Sequence, residues 1–323
     1  MAGRRKNKLQ WWLDRLNTLT GYKEEAKKLY DYMRKQYNID AYEKGYWAIL
    51  KLTILSYYID VYTIVAKEHF KKILYIDLLA GCGLNKIKDY DEIIMGSALL
   101  AAKVPREGKE FDKLVLVEMD SDKARVLEDL LQRFNVDVEI INGDCNERKT
   151  LEQIESIINE EDNTHFLAFV DPEGLEVKWK TVEALLKMNG DVVINYMCSS
   201  VARTWGNYHS DKHSNKKEGF YKRLTEFFGT DEWLKVPYIE GNSEKLFELY
   251  LRQISRYKDV AIPTRVQGLK GFHYHIVVAV RKTRGSQGWL DAVYRVKRYV
   301  ESTTPEEIKG IRVNLRSTHT LQK

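Results

Sequence analysis

The stretch YIDLLAGCGL (75–84) decides how this chain is read. A β-branched and aromatic run ends on Asp77 and passes through Ala80 into a turn that holds Gly81 and Gly83. Neither glycine carries a Cβ, so the backbone there approaches a ligand closely. A dinucleotide fold wants G-x-G-x-x-G opening directly into a helix that receives a pyrophosphate. Here the third glycine is missing and Asn85-Lys86 follow, which disfavours a diphosphate. An acidic residue ahead of A-G-x-G suits a cofactor with a cationic amino-acid end and no phosphate, S-adenosylmethionine.

Working outward, short apolar runs of the same texture recur at LVLVEMD (114–120), VDVEIING (136–143), HFLAFVDP (165–172) and DVVINYM (191–197). Amphipathic stretches over 97–103, 121–134, 149–160 and 179–188 separate them. Continuous apolar strands alternating with helices predict an α/β fold, a doubly wound, mostly parallel sheet covered on both faces. YHIVVAVRK (274–282) reads as an antiparallel C-terminal strand with a hairpin partner near 259–267, after a helix near 243–257. Upstream, the three- and four-residue spacing of Leu9, Trp12, Leu13, Leu16, Leu29, Tyr30 and Met33 predicts helices over 8–36, broken at Thr20-Gly21. A further helix is predicted from Tyr46 to His69. The expected organisation is a helical basic extension (1–45), a Rossmann-like domain (46–285) with a polar, aromatic and basic insert at 199–235, and a helical or extended tail (286–323).

Each strand of the first half ends in an acid: Asp77, Glu118, Asp144 and Asp171. Ligands of open α/β sheets bind outside the carboxyl ends of the strands. Glu118, followed by Met119, is placed to accept the ribose hydroxyls of an adenosine, and Asp144, beside Cys145, the adenine amine. The competing reading is that these acids cap the helices that follow.

Taken in order, DLLAGCG (77–83), GSALL (96–100), VEMD (117–120), GDCN (143–146), DPEGLEVKW (171–179) and DVVINY (191–196) resemble the three-Cys-motif partner protein family, class I Rossmann-like S-adenosylmethionine-dependent methyltransferases. The similarity extends over about 42–282 and includes the upstream YWAILKLTILSYYIDVY (46–62). The family has Pro at the positions of Cys82 and Ala98, and Phe where Glu173 stands, the last at the expected reaction centre. The resemblance implies that Asp77, Gly81 and Gly83 line the methionine end, Glu118 the ribose, Asp144 the adenine, and Asp171 onward the methyl acceptor. It also implies association with a three-Cys-motif protein of radical-type chemistry, and hence the alternative of a partner module.

Asp171-Pro172-Glu173-Gly174 matches the first two positions of the D/N-P-P-Y/F tetrapeptide of amino-methyltransferases. An exocyclic base amine is a poor nucleophile because its lone pair is delocalised into the ring. A carboxylate and the following carbonyl accept its two N–H bonds and aim the lone pair at the methyl group. Glu173 is placed to take the released proton. Gly174 lacks the usual aromatic clamp, so Trp179, Tyr196 or Trp205 is expected to stack on the base. Cytosine C5 methylation needs a cysteine nucleophile, typically in Pro-Cys, and no Pro-Cys occurs. For ribose 2′-O transfer, Lys51 and Asp171 lack further partners.

The interval 203–223 interleaves Arg203, Lys212, Lys216, Lys217, Lys222 and Arg223 with Trp205, Tyr208, Phe220 and Tyr221. Cations for phosphate and aromatics for unpaired bases suit single-stranded RNA. Arg4, Arg5, Lys6 and Lys8 beside Trp11 and Trp12 form a second such patch. His209 and His213, four apart, read as solvated histidines, His273 and His275 as structural ones, and Cys198 as a packed thiol, so no metal is expected. With 52 basic and 47 acidic residues, the net charge of +5 permits nucleic-acid binding without demanding it. Three cysteines, none in CxxC, give no disulfide framework and point to a reducing, cytoplasmic setting. No membrane span is expected, and the basic opening has no apolar stretch of a secretory signal. The sequence reading is therefore methyl transfer to a base amine in structured RNA. Ribosomal RNA and cytidine N4 come first, and DNA or protein are alternative acceptors.

Overall fold

The computed structural model describes residues 2–88, 92–239, 243–268 and 272–310. Helices α1 (Ala2–Gly21) and α2 (Lys23–Tyr37) break at Gly21, as the sequence predicts. They lead through β1 (Tyr42–Lys44) and α3 (Trp47–Ala66) into a βα succession. It runs β2 (Lys72–Asp77), β3 (Leu84–Ile87), β4 (Glu92–Met95), α4 (Ser97–Lys103), β5 (Lys113–Glu118), α5 (Ser121–Leu131), β6 (Val138–Asn142), α6 (Arg148–Ile158), β7 (Thr164–Val170), α7 (Trp179–Lys187) and β8 (Gly190–Tyr196). Helices α8 (Cys198–His209), α9 (Lys217–Phe228) and α10 (Glu244–Ile254) precede the hairpin β9 (Val260–Gln267) and β10 (His273–Val280), and α11 (Gln287–Glu301) follows.

Seven strands form one sheet in the order β6-β5-β2-β7-β8-β10-β9. β2 pairs in parallel with β5 and β7, and β10 runs antiparallel to both β8 and β9. The chain winds outward from β2 through β5 to β6 and then returns to β7 on the other side of β2, which places the switch point between β2 and β7, at the carboxyl ends of the central strands. This is a doubly wound, mostly parallel sheet, with the expected antiparallel strand near its end. Every residue of β7 and β8 is buried, which is why these strands read as unbroken apolar runs.

Alternation along the strands sorts side chains to two cores. Ile73, Tyr75, Leu114, Leu116, Leu167 and Phe169 face a cluster shared with α1–α5 and α11. Leu74, Ile76, Val115, Val117, Phe166 and Ala168 face a cluster shared with α6–α10. Trp11, Trp12, Leu16, Val293 and Ile308 lie in the first cluster together with the central strands.

Three features go beyond the sequence reading. Helix α3 is long and apolar enough to cross a membrane by length and composition. It is instead a core helix, 78% of its apolar window being buried against protein. The interval 199–235 is not a polar loop. It folds into α8 and α9, joined by a 3-10 segment (Asp211–Lys216), because Val201, Trp205, Leu224, Phe227 and Phe228 recur at helical spacing and are buried. The Gly-rich turn does not open into a helix. It enters β3, which pairs in parallel with β1 and antiparallel with β4, a small separate sheet unforeseen in the sequence.

Candidate active site

The turn after β2 needs its glycines. Gly81 and Gly83 hold φ of 65° and 82°, a left-handed conformation that L side chains rarely adopt. The Gly81 N–H donates to Glu118 Oε2 at 2.8 Å, tying the tip of β2 to that of β5.

Three of the four acidic tips share one local device. Asp77 Oδ1 accepts the N–H of Leu79 (3.1 Å), Glu118 Oε1 that of Asp120 (2.9 Å), and Asp144 Oδ1 that of Asn146 (2.8 Å). Each carboxylate bends the chain away from its strand two residues on. None of the four caps a following helix. The cap of α5 is Asp120, whose side chain accepts from Asp122 and Lys123, and α6 and α7 have no side-chain cap. Helix capping thus fails as the explanation of the acidic row.

The tips surround a cleft of about 470 Å3 lined by Ala80, Gly81, Gly83, Glu118, Met119, Asp144, Cys145, Asp171 and Glu173. A larger, more open depression of about 630 Å3 lies by Asn163, Thr164, Met188 and Asn189, at the opposite ends of the strands. Only the former occupies the switch point where such sheets hold ligands.

Asp77 itself does not line the cleft. It is fully buried beneath the Gly turn, and burial pushes its carboxyl up to about 6, against the lowering effect of hydrogen bonds from Ser97 and Leu79. It holds the loop and reaches a ligand only through it. Burial likewise raises the Cys145 thiol to about 12, so it is neutral. Glu118 spends one acceptance on each oxygen and keeps capacity on both. The donor set fits a ligand bearing hydroxyls and an amine, as an adenosine with an amino-acid tail does.

At the fourth tip, sequence reasoning named Asp171 and set Lys51 beside it for ribose 2′-O transfer, but missed Asn195. Lys51 Nζ, from α3, lies 2.7 Å from Asp171 Oδ1 and 2.5 Å from Oδ2. Asn195 Nδ2, from β8, donates to Oδ1 at 2.7 Å. Lys44 of β1 pairs with Glu173. Lys51 and Lys44 both line the cleft, and so does Tyr42. Pro172 is buried, and the Gly174 N–H is held by Glu176 Oε2 at 2.7 Å; neither lines the cleft. A signal for Lys51 was present: a single cation inside the apolar run YWAILKLTIL must find a carboxylate.

The aromatic side chains expected to clamp a base do not reach the cleft. Trp179 packs edge-on against Tyr250, Tyr196 sits among Phe227, Phe247 and Tyr250, and Trp205 packs against His209 and Tyr238. All three are buried, because burial of so large an apolar surface in the second core outweighs exposure at a rim. Trp11 and Trp12 are core residues too, and Lys8 pairs with Glu307 at 2.6 Å, so these three do not form the expected surface patch. The side chains of Arg4, Arg5 and Lys6 lie outside the described residues. Arg203, Lys212, Lys216, Lys217, Lys222 and Arg223 are exposed on α8, α9 and their connection.

No family model matches the chain, and no curated protein matches it. Among solved structures, a protein from Legionella pneumophila is similar at 12% identity, over 77% of this chain and 92% of that one, with a TM-score of 0.45. An O-methyltransferase from Bacillus cereus, solved with SAH, is similar at 15% identity, over 80% and 99% of the two chains, with a TM-score of 0.37. Trm1 from Pyrococcus horikoshii, solved with S-adenosyl-L-methionine, matches 73% of this chain at 10% identity, with a TM-score of 0.37. At these scores the likenesses do not bear on activity, which has to be argued from the cleft.

Proposed function

We propose that this protein is a cytoplasmic S-adenosylmethionine-dependent methyltransferase acting on an exocyclic base amine in structured RNA, ribosomal cytidine N4 being the first candidate. The observation that carries the reading is the convergence of Gly81, Glu118, Asp144 and Asp171 on one cleft at the switch point. When bound, the cofactor supplies an electrophilic methyl group on a sulfonium sulfur. Glu118 accepts from the ribose hydroxyls, and Asp144 Oδ2 takes the adenine amine while Oδ1 holds Asn146. Lys51 and Asn195 fix the rotamer of Asp171, whose Oδ2 retains an acceptor position for an amine N–H of the incoming base. The exposed cations of α8 and α9, none of which enters an ion pair among the described residues, supply the phosphate contacts. From the resemblance we carry over a three-Cys-motif protein as partner, which co-purification from cells tests.

The Lys51–Asp171 pair favours a second reading, transfer to a ribose 2′-hydroxyl, in which Lys51 faces the acceptor oxygen. One experiment separates the two. RNA from cells with and without the gene is digested to nucleosides and analysed by mass spectrometry. Loss of a base-methylated cytidine supports the first reading, loss of a ribose-methylated nucleoside the second. If the two RNA pools are identical, the RNA acceptor is wrong.

A further inference from the structure

One group of side chains plays no part in the cleft. Cys198 opens α8 directly after β8, and His273 and His275 project from the same face of β10, whose His275 is in register with Tyr196 of β8. The Cys198 Sγ and one nitrogen from each histidine all lie within 4.8 Å of one another. Cys198 and His275 are both 4% exposed. Among the described residues, neither Nδ1 nor Nε2 of His275 has a hydrogen-bond partner. An unmade hydrogen bond at a buried polar atom costs on the order of 1–3 kcal/mol, so an imidazole with both nitrogens vacant is an open account in a well-packed core. The His275 ring stacks face to face on Phe247, at 3.8 Å between centroids and 9° between planes. That contact covers the π-faces and leaves the in-plane lone pair, the one that binds a metal, unobstructed.

We infer that Cys198, His273 and His275 form a zinc site that pins the start of α8 to the β9–β10 hairpin. One sulfur and two imidazoles are the ligand types Zn2+ prefers, and the fourth tetrahedral position falls to water. Tetrahedral ligands of zinc stand roughly 3.5 Å apart, so closure asks about 1 Å of side-chain movement from the present spacing. On binding, the thiol releases its proton to solvent, the sulfur donates a lone pair, and no electron changes hands. The positive charges of Arg265 and Lys297 act against a proton on the His275 ring, and at Cys198 the charge of Arg265 favours the thiolate while the negative charge of Glu244, at the amino-terminus of α10, opposes it. Burial keeps the imidazole neutral, the form that ligates. The site is separate from the cleft and stands whether or not the methyltransferase reading does.

The test is Co2+ titration of the full chain, followed by absorption, with zinc content measured by mass spectrometry after expression in zinc-supplemented medium. The expected result is about one equivalent of metal and a thiolate-to-cobalt charge-transfer band that Cys198→Ser abolishes. Should Cys198→Ser fail to fold by circular dichroism, His273→Gln, a change at a half-buried position, is expected to weaken Co2+ affinity by at least about tenfold. Absence of the band in the wild type, its persistence in folded Cys198→Ser, or wild-type affinity in His273→Gln overturns the inference.

Discussion

Asp77→Asn is expected to stabilise the protein at neutral pH and to do nothing in acid. The Asp77 carboxyl is fully buried, and its pKa is raised from 3.8 to about 6. Below about pH 4 both folded and unfolded chains carry the proton. Between about 4 and 6 the unfolded chain has lost it and the folded one has not, so stability falls as pH rises. Above about 6 both are ionised and the penalty is constant. The displacement corresponds to about 3 kcal/mol, at about 1.36 kcal/mol per pH unit. Asparagine keeps a carbonyl oxygen for the Leu79 N–H and removes the charge, though its amide hydrogens need new acceptors, so about 3 kcal/mol is an upper bound on the gain. Urea unfolding followed by tryptophan fluorescence at several pH values from 4 to 8 measures it. Other buried groups, such as Asp191, His165 and His275, slope both curves alike, so the quantity that reports Asp77 is the variant's advantage over the wild type, which grows from nearly zero at about pH 4 to its full value above about pH 6. Parallel curves for the two proteins refute the reasoning, because the slope then comes from other groups.

Glu118→Ala removes the acceptor of the Gly81 N–H and is expected to weaken S-adenosylmethionine binding by about 1–3 kcal/mol, measured by calorimetry; unchanged affinity refutes the ribose role. Lys51→Met leaves Asp171 with Asn195 alone, and the expected outcome is loss of methyl transfer with cofactor affinity retained; full activity in a radiolabel transfer assay removes the pair from the chemistry. Trp205→Ala is expected to cost about 3–5 kcal/mol of stability, as for a fully buried aromatic, with RNA affinity of the folded fraction unaltered; a selective RNA defect restores its stacking role. Lys216→Glu with Lys217→Glu is expected to weaken RNA binding and flatten its dependence on salt; an unchanged slope makes α9 a bystander.

What the sequence showed plainly was whatever repeats along a strand or helix. The runs at 73–80 and 165–172 are apolar on both faces because both faces are covered; of their acidic ends, Asp171 reaches the cleft while Asp77 stays buried beneath the Gly turn. The β3–β4 hairpin was hidden because LNKI and EIIM are short and carry polar residues, of which Asn85 lines the cleft. Residue type misled at the clamp. Trp179, Tyr196 and Trp205 are chemically apt for stacking on a base, yet their spacing relative to Phe227, Phe247 and Tyr250 placed them in a core. Lys51 stood out as a lone cation in an apolar run, but its contact with Asp171, 120 residues away, comes only from the crossing of α3 over the sheet, and Asn195 gave no signal.

The small sheet of β1, β3 and β4 bears on how this protein is handled at the bench. Tyr42 and Lys44 form part of the cleft wall, although they precede position 46, where the polypeptide would ordinarily be trimmed to obtain a minimal catalytic fragment. Such a truncation deletes the strand that pairs with β3 and the cation that pairs with Glu173. An inactive fragment cut there would report a missing wall and say nothing about the chemistry of the full chain.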